Sequence, residues 1–380
     1  MMETVATAAV LRFRVPGRVE LVGKHVDYGG GRSLTCATAA GLQVTARFSA
    51  EPRIRVRSRQ HPDEVLLPLA DGLRHPGPAW GVYVGAVVRR LTRDFPTVTR
   101  GVDLDIDSDL PDSAGLSSSS ALVVACALAL VAANGLRSTA RWRDAFPDVL
   151  AEAEYFGAME SGTPCGPFAG DDGVGVRGGA QDPIAILCSR ENAVGQYGYL
   201  PARMEGFITW PATHRLVIGV SGVQATKTRE ARVAYNRLSD ALRGKLPASP
   251  WVEARRAQFH EEVAVIVPGV ASALHAADWP RLGRLVDRSQ ELAETVLGNQ
   301  VPETIQLQRL ARDGGAIAAS AFGAGFGGAV WAMVAETEID HFMRRWQVSY
   351  LAHHPERIHD CRFFAMRPAG PAGPFLPDTL

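Results

Sequence analysis

The sequence predicts an α+β fold made of two domains. Strand-like and helix-like segments are mixed over the first 210 residues, whereas the segments that follow are mostly helical. Strands and helices do not alternate as regular βαβ units, which argues against a doubly wound parallel sheet. A chain of 380 residues also favours two domains over one. We therefore predict one domain at residues 1–210 and a second at residues 211–380.

Periodicity in the individual segments supports this prediction. Residues 83–95 carry apolar side chains at helical spacing, whereas residues 101–111 alternate between apolar and polar side chains, as a half-buried strand does. In the second half, residues 215–222 and 329–336 are predicted strands with helical segments between them. The Pro- and Gly-rich tail at residues 367–380 is predicted to be loose.

Composition restricts the kind of partner. Lys plus Arg and Asp plus Glu number 40 each, so no overall basic field attracts nucleic acid or an anionic membrane. The longest apolar run, residues 121–133, is too short to cross a bilayer. The five cysteines form no CxxC pair and are predicted to be reduced thiols. We predict a cytoplasmic protein, monomer or homodimer, with small-molecule partners.

Two stretches match the dinucleotide-binding pattern G-x-G-x-x-G, at residues 173–178 and 323–328. That pattern needs a strand before it and a helix after it. The second stretch is followed by a predicted strand, and the first lies in a polar segment without a clear strand before it. A Rossmann site is therefore not favoured.

A more specific signal is the run of four serines at residues 117–120, which precedes a long apolar helix. One serine is enough to cap a helix. Several hydroxyls and free backbone N–H groups at the positive end of a helix suit a polyphosphate, and a hydroxyl could also bind Mg²⁺. The alternative is a buried helix with a redundant serine cap.

Three segments in this order resemble the signature motifs of the GHMP kinase superfamily, most closely its galactokinase branch. They are GRVELVGKHVDYGGG at 17–31, LPDSAGLSSSSA at 110–121 and SAFGAGFGGA at 320–329. The resemblance implies an N-terminal domain like ribosomal protein S5 domain 2 and a ferredoxin-like C-terminal domain, with the active site between them. It also implies an ATP- and Mg²⁺-dependent sugar kinase.

The resemblance assigns ATP to the serine turn and to the last glycine motif. The residues implied are Pro111, Gly115, Leu116, Ser117, Ser118, Ser119, Gly323 and Gly325. Ser119 matches the serine that binds Mg²⁺, and Glu154 is the better match for the second metal ligand, with Glu152 as the alternative. Ser113 stands where many members have glycine.

The resemblance also implies the catalytic pair. Asp182 falls in GGAQDPIAIL, where galactokinases have an aspartate that takes the proton of the acceptor hydroxyl. Arg18 matches an arginine that keeps this aspartate ionised and offsets charge on the transferred phosphoryl group. Lys227 is expected to assist, or else is a surface lysine. The inserted residues 160–178 either line the substrate pocket or form a lid.

The sugar would be held by His25, Asp27, Tyr235 and the backbone at Gly179, and phosphorylated at its anomeric hydroxyl. Lys24 departs from the pattern, in which a glutamate occupies this position. Because an ammonium group only donates hydrogen bonds, Lys24 suggests an acceptor sugar that carries a carboxylate or phosphate. Alternatively Lys24 pairs with Glu20 and is structural. Two other functions stay open: a kinase for a cyclitol or mevalonate-like alcohol, and a non-catalytic regulator that binds sugar and ATP.

Overall fold

The computed structural model describes most of the chain, namely residues 10–70, 78–111, 114–224 and 229–374. Its larger sheet is formed by β1 Val10–Val22, β2 Arg32–Ser49, β3 Arg53–Ser58, β4 His61–Pro68, β5 Gly101–Ser108, β6 Ala193–Gly198, β7 Arg203–Thr209 and, from the end of the chain, β12 Gly373–Pro374. The sheet is mostly antiparallel, with β3 and β5 as a parallel pair, and runs in the order β12-β1-β2-β5-β3-β4, while β6 pairs with β2 and β7.

Five helices accompany this sheet: α1 Gly81–Asp94, α2 Ser118–Ala133, α3 Ala140–Ala145, α4 Val149–Ser161 and α5 Gln181–Cys188. α2 contains no charged residue and is buried over most of its length, as expected of a helix in the centre of a core. It contacts α1, α4 and α5 as well as three strands. The N-terminus of α2 is thereby fixed at the edge of the core. The predicted helix at 83–95 is confirmed as Gly81–Asp94, and the predicted strand at 101–111 is confirmed as the shorter Gly101–Ser108.

The second half contains a four-stranded antiparallel sheet in the order β11-β8-β10-β9. Its strands are β8 His214–Val220, β9 Ala318–Ala321, β10 Ala329–Ala335 and β11 Arg362–Met366. The helices are α6 Arg229–Leu242, α7 Pro250–Glu261, α8 Val267–Ala276, α9 Trp279–Leu292, α10 Pro302–Asp313 and α11 Ile339–His353. Both strands predicted in this half are therefore confirmed. Among the described residues, no helix is long and apolar enough to cross a membrane.

The tail differs from its prediction. β12, Gly373–Pro374, pairs with β1 of the larger sheet, and Ala369 forms an isolated bridge with Ala37. The backbone N–H of Ala372 donates to the carbonyl oxygen of Ile186 at 2.8 Å. The described part of the tail, residues 367–374, is thus ordered, because the first sheet supplies hydrogen-bond partners that composition does not reveal. The division of the chain at residue 210 stays a prediction.

Candidate active site

A cavity of about 470 Å³ lies between the two halves of the molecule. Its walls come from the turn after β1, the serine turn before α2, the segment between α4 and α5, and the loop between β9 and β10, with α6 on one side. These segments are distant in sequence. The three motifs that the sequence singles out therefore meet at one place.

The serine turn presents the N-terminus of α2 to the cavity. Gly115 and Ser117 both have left-handed backbone, with φ of 75° and 65°. The carbonyl oxygen of Ser117 accepts the N–H of Ala121 at 2.9 Å, which places the start of α2, and with it the positive end of the helix, at residues that line the cavity. A helix end of this kind binds anionic groups such as phosphate.

The glycine loop between β9 and β10 lies close against the serine turn. A Cβ atom on Gly323, whose φ is 78°, would lie 3.0 Å from the carbonyl oxygen of Gly115. A Cβ on Gly325, whose φ is 80°, would lie 2.2 Å from the carbonyl oxygen of Asn299. Glycine is thus required at 325 both for the backbone conformation and for space.

Most residues predicted to hold ATP line the cavity: Gly115, Ser117, Ser118, Ser119, Gly323 and Gly325. Leu116 is buried in the core instead, and its carbonyl oxygen accepts the N–H of Arg18 at 3.1 Å. Pro111 is half-buried and is not part of the described cavity wall. Ser113 lies outside the described residues.

Asp182 lies at the beginning of α5 and faces the N-terminus of α2. Its Oδ1 accepts a hydrogen bond from Arg18 Nε at 2.7 Å, and its Oδ2 accepts from Arg18 Nη2 at 3.2 Å and from Ser117 Oγ at 2.5 Å. The Arg18 side chain is 5% exposed, whereas that of Asp182 is 28% exposed. Asp182 is therefore held by a buried guanidinium but remains accessible from the cavity.

Asp27 and Gly179 are in direct contact. Asp27 accepts hydrogen bonds from the backbone N–H groups of Tyr28 at 2.9 Å and Gln181 at 3.3 Å. A Cβ atom on Gly179 would lie 2.5 Å from Asp27 Oδ2, so a larger residue would displace the carboxylate. Burial and the nearby charge of Asp182 raise the pKa of Asp27 to about 6.

His25 and Tyr235 form the opposite wall, with ring centroids 5.0 Å apart. His25 Nδ1 lies 3.0 Å from the Tyr28 hydroxyl, and Nε2 lies 3.1 Å from the carbonyl oxygen of Ala324. Burial and the positive charge of Arg255 lower the pKa of His25 to about 3. The imidazole is therefore uncharged at neutral pH. Lys227, predicted nearby, lies outside the described residues.

Lys24 does not take the predicted position. It is 1% exposed and is absent from the described residues that line the cavity. Its Nζ donates to the carbonyl oxygen of Ala321 and lies 3.9 Å from Glu20 Oε1. The N–H of Lys24 donates to Glu262 Oε1 at 3.3 Å. The prediction that Lys24 binds substrate is corrected: the ammonium lies in the protein interior, where it donates to a backbone carbonyl and is near the charges of Glu20 and Glu262, so the lysine is structural.

Glu154, predicted to be the second metal ligand, does not line the cavity. Its Oε1 accepts the N–H of Ala202 at 3.1 Å on a face of α4 that does not form the described cavity wall. The alternative, Glu152, pairs with Arg137. Glu160, six positions after Glu154 on α4, reaches the cavity, because this spacing rotates the side chain onto another face of the helix.

Glu160 completes a set of oxygen atoms around the helix end. Ser120 Oγ donates to Glu160 Oε2 at 2.6 Å and lies 3.4 Å from Asp182 Oδ2. Serine hydroxyls and carboxylates are the ligands that Mg²⁺ accepts from proteins, and it keeps the rest of its shell for water and phosphate. The donor set of Ser117, Ser120, Glu160 and Asp182 therefore fits this ion. No local signal distinguishes Glu160 from Glu152 and Glu154 in the sequence, since all three lie on α4.

The far end of the cavity is apolar and aromatic. The rings of His61 and Trp80 stack with centroids 5.7 Å apart and planes 22° apart. The side chains that surround this end are Leu42, Val56, Tyr83, Ile106 and Leu122. Flat apolar walls beside an anion-binding helix end can accommodate a nucleobase whose phosphates extend toward α2. Sequence reasoning did not identify this end.

Three family descriptions match segments of this chain that include residues of the cavity wall. The description "GHMP kinases N terminal domain" matches residues 82–167, "GHMP kinases C terminal" matches residues 270–350, and "Galactokinase galactose-binding signature" matches residues 4–48. The galactokinase of Chloroflexus aurantiacus is 29% identical over 357 residues, which cover 87% of this chain and 85% of the relative. That of Actinobacillus pleuropneumoniae is 27% identical over 351 residues, 87% and 86% of the two chains.

Solved structures share the fold. The galactokinase of Lactococcus lactis, solved with galactose, matches with a TM-score of 0.80 at 19% identity, over 97% of this chain and 96% of that one. The mevalonate kinase of L. major, solved with R-mevalonate, matches with a TM-score of 0.59 at 16% identity, over 97% and 100%. The three family matches follow one another along the chain, and each includes residues that line the cavity. The chain therefore belongs to the GHMP kinase superfamily and, within it, to the galactokinase-like sugar kinases.

Proposed function

We propose that this chain transfers the γ-phosphoryl group of ATP to the anomeric hydroxyl of a neutral, galactose-like sugar. The observation that carries the proposal is the position of Asp182. It lies between Asp27, which would hold the sugar, and the N-terminus of α2, which would hold the phosphates. Arg18 fixes it there through two hydrogen bonds.

Phosphoryl transfer passes through a loose transition state, so the protein contributes mainly position and charge. Asp182 accepts the proton of the attacking hydroxyl. Arg18 keeps the carboxylate ionised and offsets negative charge that shifts toward the acceptor. Bound Mg²⁺, held by Glu160 and the serine hydroxyls, would neutralise the phosphates. The N–H groups of residues 118–120 orient the phosphate chain along the cavity.

The contacts at the acceptor end favour a neutral sugar. Asp27 offers a carboxylate to neighbouring hydroxyls, and His25 and Tyr235 supply an uncharged wall. Lys24, which suggested an anionic sugar, is turned away from the cavity. The complete Arg18–Asp182 pair opposes a role as a binding-only regulator, since binding alone needs no base.

ADP release tests the proposal across neutral sugars, uronic acids, sugar phosphates and cyclitols, and phosphorus NMR of the product locates the new ester. We expect turnover with a neutral sugar. Asp182→Asn should lower kcat by about 10²- to 10⁴-fold, the usual contribution of a general base. Asp144→Asn, an exposed site on α3, is the matched control and should behave as wild type. An Asp182→Asn variant with wild-type turnover would contradict the assignment.

A further inference from the structure

One carboxylate oxygen of Glu20, which lies on β1, accepts a hydrogen bond, and the other accepts none from the described residues. The side chain lines the cavity, although the residue is only 2% exposed. Oε2 accepts a hydrogen bond from Gln181 Nε2 at 2.5 Å. Oε1 has no hydrogen-bond donor among the described residues. A buried carboxylate oxygen without a donor is costly, and native structures normally provide a partner from the protein, water or a ligand.

Lys24 does not supply that donor. Its Nζ is 3.9 Å from Glu20 Oε1, beyond hydrogen-bond range, and it donates to Ala321 instead. Burial raises the pKa of Glu20, while the charges of Lys24 and Arg18 oppose that rise. The charges of Lys24 and Arg18 thus offset part of the cost of burying a charged carboxylate, and neither side chain donates to Oε1.

Glu20 is also coupled to the residues that would hold the sugar. Gln181, which donates to Glu20 through its side chain, donates through its backbone N–H to Asp27 Oδ2 at 3.3 Å. Asp182 is the next residue along the chain. Glu20, Asp27 and Asp182 therefore surround the same end of the cavity with three carboxylates.

We infer that Glu20 determines sugar specificity by accepting a hydrogen bond from one hydroxyl of the acceptor through Oε1. The inference rests on the proposed function. The galactokinase-like motif has a glutamate at position 24, whereas here the carboxylate is at position 20 and position 24 is a buried lysine. An anionic sugar would face the three carboxylates, whereas the nearby cations are engaged, Arg18 by Asp182 and Lys24 by the carbonyl oxygen of Ala321, so the site disfavours uronic acids and sugar phosphates.

The test compares kcat/KM for the best neutral sugar with kcat/KM for each of its monodeoxy analogues. In the wild type, removal of the hydroxyl that meets Glu20 should lower kcat/KM by about 10- to 100-fold, since a hydrogen bond to a charged group is lost. Glu20→Gln presents an amide donor at this point. It should lose the discrimination at that one hydroxyl, keep it at the others, and leave KM for ATP within about twofold.

Glu262→Gln is the matched control. Glu262 is an equally buried carboxylate beside Lys24. Its Oε1 accepts from Gly23, Lys24 and Ser289, and its Oε2, like Glu20 Oε1, has no donor among the described residues, but Glu262 is not part of the described cavity wall. Its replacement should keep the wild-type pattern of discrimination, whatever it does to stability. If Glu20→Gln also keeps that pattern, or loses discrimination equally at every hydroxyl, the inference is wrong.

A second variant and a binding measurement test the role of Glu20 if Glu20→Gln does not fold or if the chain has no kinase activity. If Glu20→Gln does not fold, Glu20→Asp takes its place. The shorter side chain retains the charge but withdraws it from the cavity, so this variant should also lose discrimination at that one hydroxyl and keep it at the others. Calorimetric binding of the sugar and its deoxy analogues without ATP tests Glu20 independently of phosphoryl transfer. A wild-type chain that binds sugars with this pattern but releases no ADP contradicts the proposed function and supports the role of Glu20.

Discussion

Arg18 and Asp182, 164 positions apart in sequence, form a two-point contact at the centre of the cavity, with N–O distances of 2.7 and 3.2 Å. The remaining arm of the guanidinium, Nη1, donates to the carbonyl oxygen of Gly115 at 2.6 Å. One buried side chain therefore fixes both the candidate base and the turn that would hold the phosphates. The planar fork of arginine makes this three-way contact possible.

Arg18→Lys should lower kcat/KM by about 10- to 100-fold, although the positive charge is kept. An ammonium group cannot hold both carboxylate oxygens and the Gly115 carbonyl in one plane, and each lost hydrogen bond to a charged group contributes about 1.5–3 kcal/mol. Steady-state ADP release measures the effect. Arg309→Lys, at a largely exposed ion pair, is the control. Equal activity of Arg18→Lys and wild type would show that the fork is unnecessary.

Glu160→Gln should raise the Mg²⁺ concentration required for half-maximal activity by at least about tenfold, because a charged oxygen ligand is lost. Glu154→Gln changes the same residue type on the same helix and should leave the Mg²⁺ requirement unchanged, since its carboxylate contacts the Ala202 N–H. Titration of activity with Mg²⁺ at fixed ATP separates the two variants. The reverse result would restore Glu154 as the metal ligand.

Sugar binding should weaken as the pH falls below about 6. Burial and the charge of Asp182 raise the pKa of Asp27 to about 6, so Asp27 is an ionised hydrogen-bond acceptor above this pH and becomes protonated below it. With one group responsible, KM for the sugar should rise towards tenfold for each further pH unit. Asp27→Asn should flatten this dependence.

His25 has an ordinary pKa near the same region, but its pKa is lowered to about 3, and it stays uncharged across the range tested. His25→Asn should therefore keep the midpoint near pH 6, even if binding is weaker. A midpoint that disappears in His25→Asn and persists in Asp27→Asn would assign the titration to the histidine.

Lys24→Met should lower the free energy of unfolding by about 3–5 kcal/mol, because it removes a buried cation that lies near the carboxylates of Glu20 and Glu262. Urea unfolding at neutral pH measures the change. The double variant Lys24→Met/Glu20→Gln removes one of these carboxylates and should recover part of the loss. A stability change below about 1 kcal/mol in the single variant would show that the lysine is not the counter-charge.

The sequence by itself determined the secondary structure near the site, the order of the three motifs and a set of polar and glycine residues around one end of the cavity. Glycines with positive φ, the serine run before α2 and the alternation in β5 are local properties, and local physical chemistry is visible in a sequence. Arg18, Asp27 and Asp182 could be assigned because each lies at a fixed offset within a motif.

Only the tertiary structure decided which charged side chains face the cavity. Glu154 and Glu160 lie on one helix, and the choice between them depends on how α4 is rotated against its neighbours. Lys24 turns inward because Glu262, 238 positions later, places a second carboxylate beside it. The tail pairs with β1 for the same reason, since its partners lie far away in sequence. Long-range packing and buried counter-charges set side-chain direction, and neither is visible in the local pattern.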